Sequence, residues 1–158
     1  MYSQYLKIEN GKAVKPDGYD SSNIVHIRRL DHQRRVLDLG LSPTVLSSIV
    51  DEFYYRVRSN PVLAPIFEAK VGNNWDQHLV KMKSFWISVA LNAGTYSGKP
   101  VTAHIPLNNV QPWHFDIWLG LFRQTVLDVT GSTEAVDFMM VRAEKMANNL
   151  KGAMFGCR

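Results

Sequence analysis

The apolar positions of this chain form four helical stripes separated by glycine, proline and small polar residues. Ser42-Pro43 has the form of an N-cap followed by a first helical residue. Val45, Leu46, Ile49, Val50, Phe53 and Val57 then recur at helical spacing until Asn60-Pro61. A second stripe, Trp75, Leu79, Met82, Trp86, Val89 and Ala93, steps by three and four residues and stops at Gly94. A third helix is predicted from about Pro112 to Thr130, with Ile117, Leu121 and Val129 along it and Gly131 at its end. Ser132 has the character of a cap for the fourth, which carries Ala135, Phe138, Met139, Met146, Leu150 and Ala153. No alternating pattern interrupts the four, so the core is read as all-α.

Two segments lie outside this pattern. Residues 1 to about 38 are polar and turn-rich, with Asn10-Gly11 and Pro16-Asp17-Gly18. Leu6 and Ile8 alternate before Asn10-Gly11, and Ala13 and Val14 follow it, which suggests a short hairpin. An isolated hairpin is marginal in water and would need support. The domain reading is an N-terminal extension of unassigned role over 1–38 and a helical domain over 39–158. The second segment runs from Gly94 to Gln111, where Gly94, Gly98, Pro100 and Pro106 exclude a continuous helix. A connection this long in a compact bundle is usually functional, and it carries His104.

Composition narrows the classes. The 158 residues suffice for one domain with a real core, and 46% hydrophobic against 20% charged residues is ordinary globular usage. Four Trp, six Tyr and seven Phe supply aromatic bulk that suits a ligand pocket and a plain core equally. The net charge is a mild +4, and its densest cluster is Arg28, Arg29, Arg34 and Arg35. That cluster reads first as a solvated helix face; without interleaved aromatics or a nucleic-acid module, a nucleic-acid partner is not expected. Cys157, the sole cysteine, excludes an intrachain disulfide and a cysteine-built zinc or iron–sulfur site within one chain. Met1 to Lys15 is polar and unlike a signal peptide, and no apolar run reaches bilayer length, so a cytoplasmic location is expected.

Six short stretches resemble a known family when taken in order. Phe53-Tyr54, Pro65-Ile66-Phe67, Trp75-Asp76-Gln77-His78, Phe85-Trp86, Tyr96 to Pro100 with His104, and His114-Phe115 with Trp118 to Phe122 are similar to the third group of truncated haemoglobins. The resemblance covers about residues 41–155. It implies a two-over-two helical sandwich, a shortened globin in which much of the proximal helix is loop, and it implies a b-type haem as cofactor. The extension of some forty residues departs from the family pattern.

Alone, His104 would be a surface histidine in a loop. The resemblance makes it the proximal ligand, the role that histidine fills in globins. Tyr54, Trp118 and His78 are implied as the distal trio. Dioxygen gains partial negative charge on binding, so O–H and N–H donors hold it, and carbon monoxide gains less. Tyr54 donates or accepts and Trp118 only donates. Without the resemblance these aromatics would be core packing. His78 is read as a distal donor or gate, with direct iron ligation in a six-coordinate resting state as the second reading. Phe67 matches the family's ring-stacking phenylalanine. Met82, one turn beyond His78, shares its face, and Phe85 and Trp86 extend that wall. Tyr96, in the proximal loop, is also assigned to the cofactor. Lys81 is read as a propionate partner or, equally, a solvated lysine. His114 is assigned packing near the proximal side, and His26 and His32 are expected to be solvated.

The function these residues imply is binding of dioxygen, nitric oxide or carbon monoxide, whether for oxygen transport, nitric oxide dioxygenation or peroxide chemistry. Turnover would require an external electron donor, because the chain has no flavin or nicotinamide motif. Two readings compete: a gas or redox sensor signalling through the extension, and a haem-free helical interaction domain.

Overall fold

Helix boundaries in this protein are set by a few polar residues and left-handed turns. The computed structural model describes residues 7–9, 12–14, 21–92 and 109–156. Among them are a short hairpin and six helices: α1 (Ser21–Asp38), α2 (Pro43–Ser59), α3 (Leu63–Val71), α4 (Trp75–Leu91), α5 (Pro112–Thr130) and α6 (Thr133–Phe155). Ser42 caps α2, its hydroxyl accepting from Val45 N at 3.2 Å, and Pro43 occupies the first turn, where its missing N–H costs nothing. Asn60 ends that helix and prepares the next. Its backbone N–H donates to Val57 O, while its side-chain oxygen accepts from the N–H groups of Val62 (2.9 Å) and Leu63 (3.0 Å).

The sequence pattern missed α3 as an element because it is short and contains Pro65. That proline falls in the first turn, where backbone N–H groups have no intrahelical partner, so the helix tolerates it. The expected stop of α4 at Gly94 also shifts. The helix ends at Leu91, with Asn92 in the left-handed conformation at φ 51°, a role asparagine fills better than most residues. Ala93 and Gly94 lie outside the described residues. The boundaries of α5 agree with the pattern, closing on Gly131 at φ 63°, and Ser132 caps α6 through Ala135 N at 3.1 Å.

Helices α2 and α4 form one layer and α5 and α6 the other. Contacts of α2 with α5 and of α4 with α6 join the layers, and α3 packs on α2 and α5. This is the two-over-two arrangement expected from the resemblance. Fully buried Leu46, Ile49, Phe53, Val57, Trp86, Phe122, Val126 and Met139 fill the space between, and buried Ala135, Ala143 and Ala147 give α6 a small-residue face. On α5 the expected stripe of Ile117, Leu121 and Val129 is only half-buried. Phe115, Phe122 and Val126 are the buried line, because α5 packs against three helices and is apolar around much of its girth. Thr125 is buried among them, and its hydroxyl donates to Leu121 O at 2.7 Å. Arg56 ties the layers at the surface, pairing with Glu52 on its own helix (2.9 Å) and Asp128 on α5 (2.8 Å).

The chain divides into two compact units, residues 1–32 and 33–158. In the smaller, the hairpin pairs Lys7 with Val14, Ile8 with Ala13 and Glu9 with Lys12, the register that a two-residue connection demands. Arg28 and Arg29 in this unit are exposed, as are Arg34 and Arg35 in the larger one. His26 is exposed as expected, whereas His32 is half-buried. In the larger unit the last turns of α1 contribute Val36 to the core, and Gln33 Nε2 donates to Leu91 O at 2.9 Å. No described helix is long and apolar enough to cross a membrane.

The two serine caps give a first prediction. Ser42→Ala and Ser132→Ala should each lower unfolding free energy by about 1 kcal/mol, read as a shift in urea midpoint at constant slope. An unchanged midpoint in both variants would remove the capping role.

Candidate functional site

Consecutive residues on a helix point about 100° apart, and α2 uses this at Phe53 and Tyr54. Both side chains are buried, but they enter different aromatic groups. Tyr54 faces α3 and α4, with ring centroids 5.9 Å from Phe67, 6.0 Å from Trp75 and 5.0 Å from His78. Phe53 faces α5, meeting Trp118 and Phe122 edge-to-face at 5.3 Å each. The two groups join where Phe53 and Tyr54 themselves touch, at 5.0 Å.

The first group contains the polar chemistry. His78 presents its ring at 86° to Tyr54 and 89° to Trp75, and its Nε2 is sealed from solvent. Phe67 lies stacked beside Trp75 at 6.5 Å. Burial pushes the Tyr54 phenol far above its ordinary value, so the hydroxyl remains a neutral donor through any physiological pH. The second group carries no ionisable side chain: Phe122 stacks on Trp118 at 5.6 Å and on Trp86 at 4.6 Å, and Phe85 meets Trp86 at 5.2 Å.

Of the implied distal trio, Tyr54 and His78 are therefore in direct ring contact, and Trp118 stands one ring away across Phe53. Phe67 joins Tyr54 and Trp75. Met82 is half-buried against the core one turn beyond His78, while Phe85 and Trp86 are core residues. Lys81 is exposed. His104 and Tyr96 lie outside the described residues. Phe67, Leu79, Met82 and Trp118 are all large, apolar and only partly buried. Side chains of that kind, with a buried phenol and a half-buried imidazole beside them, suit a flat apolar macrocycle carrying a polar ligand, and in this respect the described residues fit a haem.

Two features were not foreseen from the sequence. His114 acts in capping as well as packing: its Nδ1 accepts from Gln111 N at 2.9 Å, closing the start of α5, and its ring lies 4.0 Å from Trp113. The second is a polar triangle beside Tyr54. Glu68 accepts from Arg58 Nε at 3.1 Å and from Trp75 Nε1 at 3.2 Å, and the Arg58 guanidinium lies 4.4 Å from the Trp75 ring centre. Arg58 and Glu68 are ten residues apart on different helices, so no local spacing signals the pair.

Comparison with known proteins agrees with this geometry. A family model described as bacterial-like globin matches residues 38–154. A group 3 truncated hemoglobin of Campylobacter jejuni, ctb, is 28% identical over 113 residues, covering 70% of this chain and 88% of that protein. A crystal structure of group III truncated hemoglobin from Campylobacter jejuni superposes with a TM-score of 0.67 at 27% identity, covering 72% of this chain and 91% of the other. The resemblance read from six short stretches is thus borne out along most of the chain. The protein belongs to the bacterial-like globin family, and with that membership comes haem-based binding of small diatomic ligands.

Proposed function

We propose that this chain holds a b-type haem through His104 and manages dioxygen and related diatomic ligands with Tyr54, His78 and Trp118. The observation that carries the reading is the edge-to-face contact of buried Tyr54 with His78 at 5.0 Å, in an aromatic group that also contains half-buried Phe67. Haem supplies the ligand-binding and one-electron chemistry. The protein's own part is to shape and polarise the space around the ligand.

Tyr54 is the principal donor in this reading. Its hydroxyl is protonated and desolvated, so a hydrogen bond to a ligand bearing negative charge is stronger than it would be in water. Trp118 adds an N–H donor from the α5 side, and stacking on Phe122 restricts its ring. His78 supplies a second buried heteroatom beside Tyr54, as donor or gate. Phe67 and Met82 would provide apolar contact to the macrocycle, Lys81 would pair with a propionate, and Tyr96 is assigned to the cofactor with His104. Dioxygen, more polar when bound than carbon monoxide, gains most from such donors. Nitric oxide dioxygenation, in which dioxygen and nitric oxide combine to nitrate, consumes one electron per cycle. As the catalytic form of this function it needs a separate electron donor.

Three outcomes test the assignment. Tyr54→Phe and Trp118→Phe should each speed dioxygen dissociation by about 10-fold or more, the loss of one hydrogen bond to a charged acceptor, in stopped-flow measurements. Unchanged off-rates in the double variant would sink the distal reading. His104→Ala should abolish the histidine-ligated ferrous and ferric absorption spectra, and retention of both would remove His104 as the ligand.

Tyr54 also links stability to alkaline pH. Its folded pKa is raised, so the stability it contributes is complete below the unfolded value of 10.0 and is lost as pH rises toward the folded value. Wild-type stability should therefore fall above about pH 10, by at most about 1.4 kcal/mol per pH unit from this group, and Tyr54→Phe should flatten that slope. Equal slopes in denaturation series from pH 9 to 11 would contradict it.

A further inference from the structure

One residue from each of α2, α3 and α4 meets in the triangle of Arg58, Glu68 and Trp75, at the edge of a surface recess that Tyr54 and Leu79 also line. The Trp75 indole is nearly buried, and an indole N–H in that position requires an acceptor. Here the acceptor is a carboxylate, which makes the bond charge-assisted and directional. The other oxygen of Glu68 takes Arg58 Nε, and the guanidinium lies over the indole face. All rotation of the Trp75 ring is thus opposed, at its N–H and across its face.

What Trp75 touches on the inner side gives the triangle its meaning. Its ring meets His78 edge-on at 5.5 Å, Tyr54 at 6.0 Å and Phe67 in a stack at 6.5 Å. Trp75 is therefore in ring contact with both polar side chains of the distal group. Arg58 and Glu68 are about half-exposed, and ion pairs of that kind contribute little to stability. Their effect is better sought in orientation.

We propose that Glu68 is a positioning residue of the distal site: braced by Arg58, it fixes the Trp75 ring and thereby the direction of the Tyr54 and His78 donors. The proposal rests on the assignment of Tyr54 and His78 to the ligand. It adds a charged residue that never touches the ligand yet sets how strongly the ligand is held.

The test uses the full haem-loaded chain and four variants: Glu68→Ala, Glu68→Gln, Trp75→Phe, and Glu68→Ala combined with Trp75→Phe. Three quantities are read: the carbon–oxygen stretching frequency of the ferrous carbon monoxide complex, the dioxygen off-rate, and the Trp75 indole N–H resonance in that same diamagnetic complex. Glu68→Ala should displace the indole resonance, shift the stretch and raise the off-rate about 3-fold or more. Glu68→Gln, which keeps an acceptor for the indole, should recover much of this. The double variant should go no further than Trp75→Phe alone.

A displaced indole resonance with unchanged stretch and off-rate would overturn the proposal, leaving a structural clamp. Additive effects in the double variant would also overturn it, because Glu68 would then act through its charge alone. Tyr54→Phe separates this failure from that of the underlying reading. If Tyr54→Phe moves the stretch and Glu68→Ala does not, only the positioning role falls; if neither does, the distal assignment falls with it.

Discussion

Phe53 and Tyr54 are neighbours in sequence that must be buried against different helices, and the architecture follows from satisfying both. For Phe53 to reach Trp118 and Phe122, α5 must cross α2 on one side. For Tyr54 to reach His78 and Trp75, α4 must lie on another. A helix flanked by one partner could bury only one of the two, and a buried tyrosine without a polar or aromatic neighbour would carry a desolvation cost. The pair therefore works as a hinge of packing, with an apolar stack on one side and the ionisable rings on the other.

The corner between α2 and α3 completes this arrangement. By serving the N–H groups of Val62 and Leu63 together, Asn60 lets the chain turn at once after α2. The short helix that follows brings Phe67 back to Tyr54 and Glu68 back to Arg58. A longer connection would leave the recess side of Tyr54 uncovered. One asparagine thus stands behind contacts among residues as far apart as Tyr54 and Trp75.

Much of the helical frame was legible because it is written in local chemistry. Ser42-Pro43, Gly131 and Ser132 are boundary residues whose geometry is dictated within a turn, and the structure places them where their chemistry predicts. Helix α3 was not legible, since nine residues with an internal proline carry too little periodicity. The half-buried rank of Ile117 and Leu121 was hidden because α5 is apolar on several sides, and which side is innermost depends on the neighbours. The candidate site divides along the same line. Tyr54, His78 and Phe67 were named through motif order, and the packing unites them. Trp118 was named in the same way and stands across Phe53. Glu68 and Arg58 could not have been named, because their partnership exists only after three helices have assembled.

The carbonyl of Leu91, the last residue of α4, is satisfied by the side chain of Gln33, and Val36 fills the core nearby in sequence. Both residues precede residue 38, where the match to the family begins. The unit that folds is consequently longer at its N-terminal end than the unit that is recognisably inherited. A chain trimmed to the family boundary would keep every residue assigned to ligand binding, yet it would lose a core side chain and the partner of its α4 terminus. For this globin, homology marks where the chemistry starts, and the hydrogen bond from Gln33 marks where the larger compact unit starts.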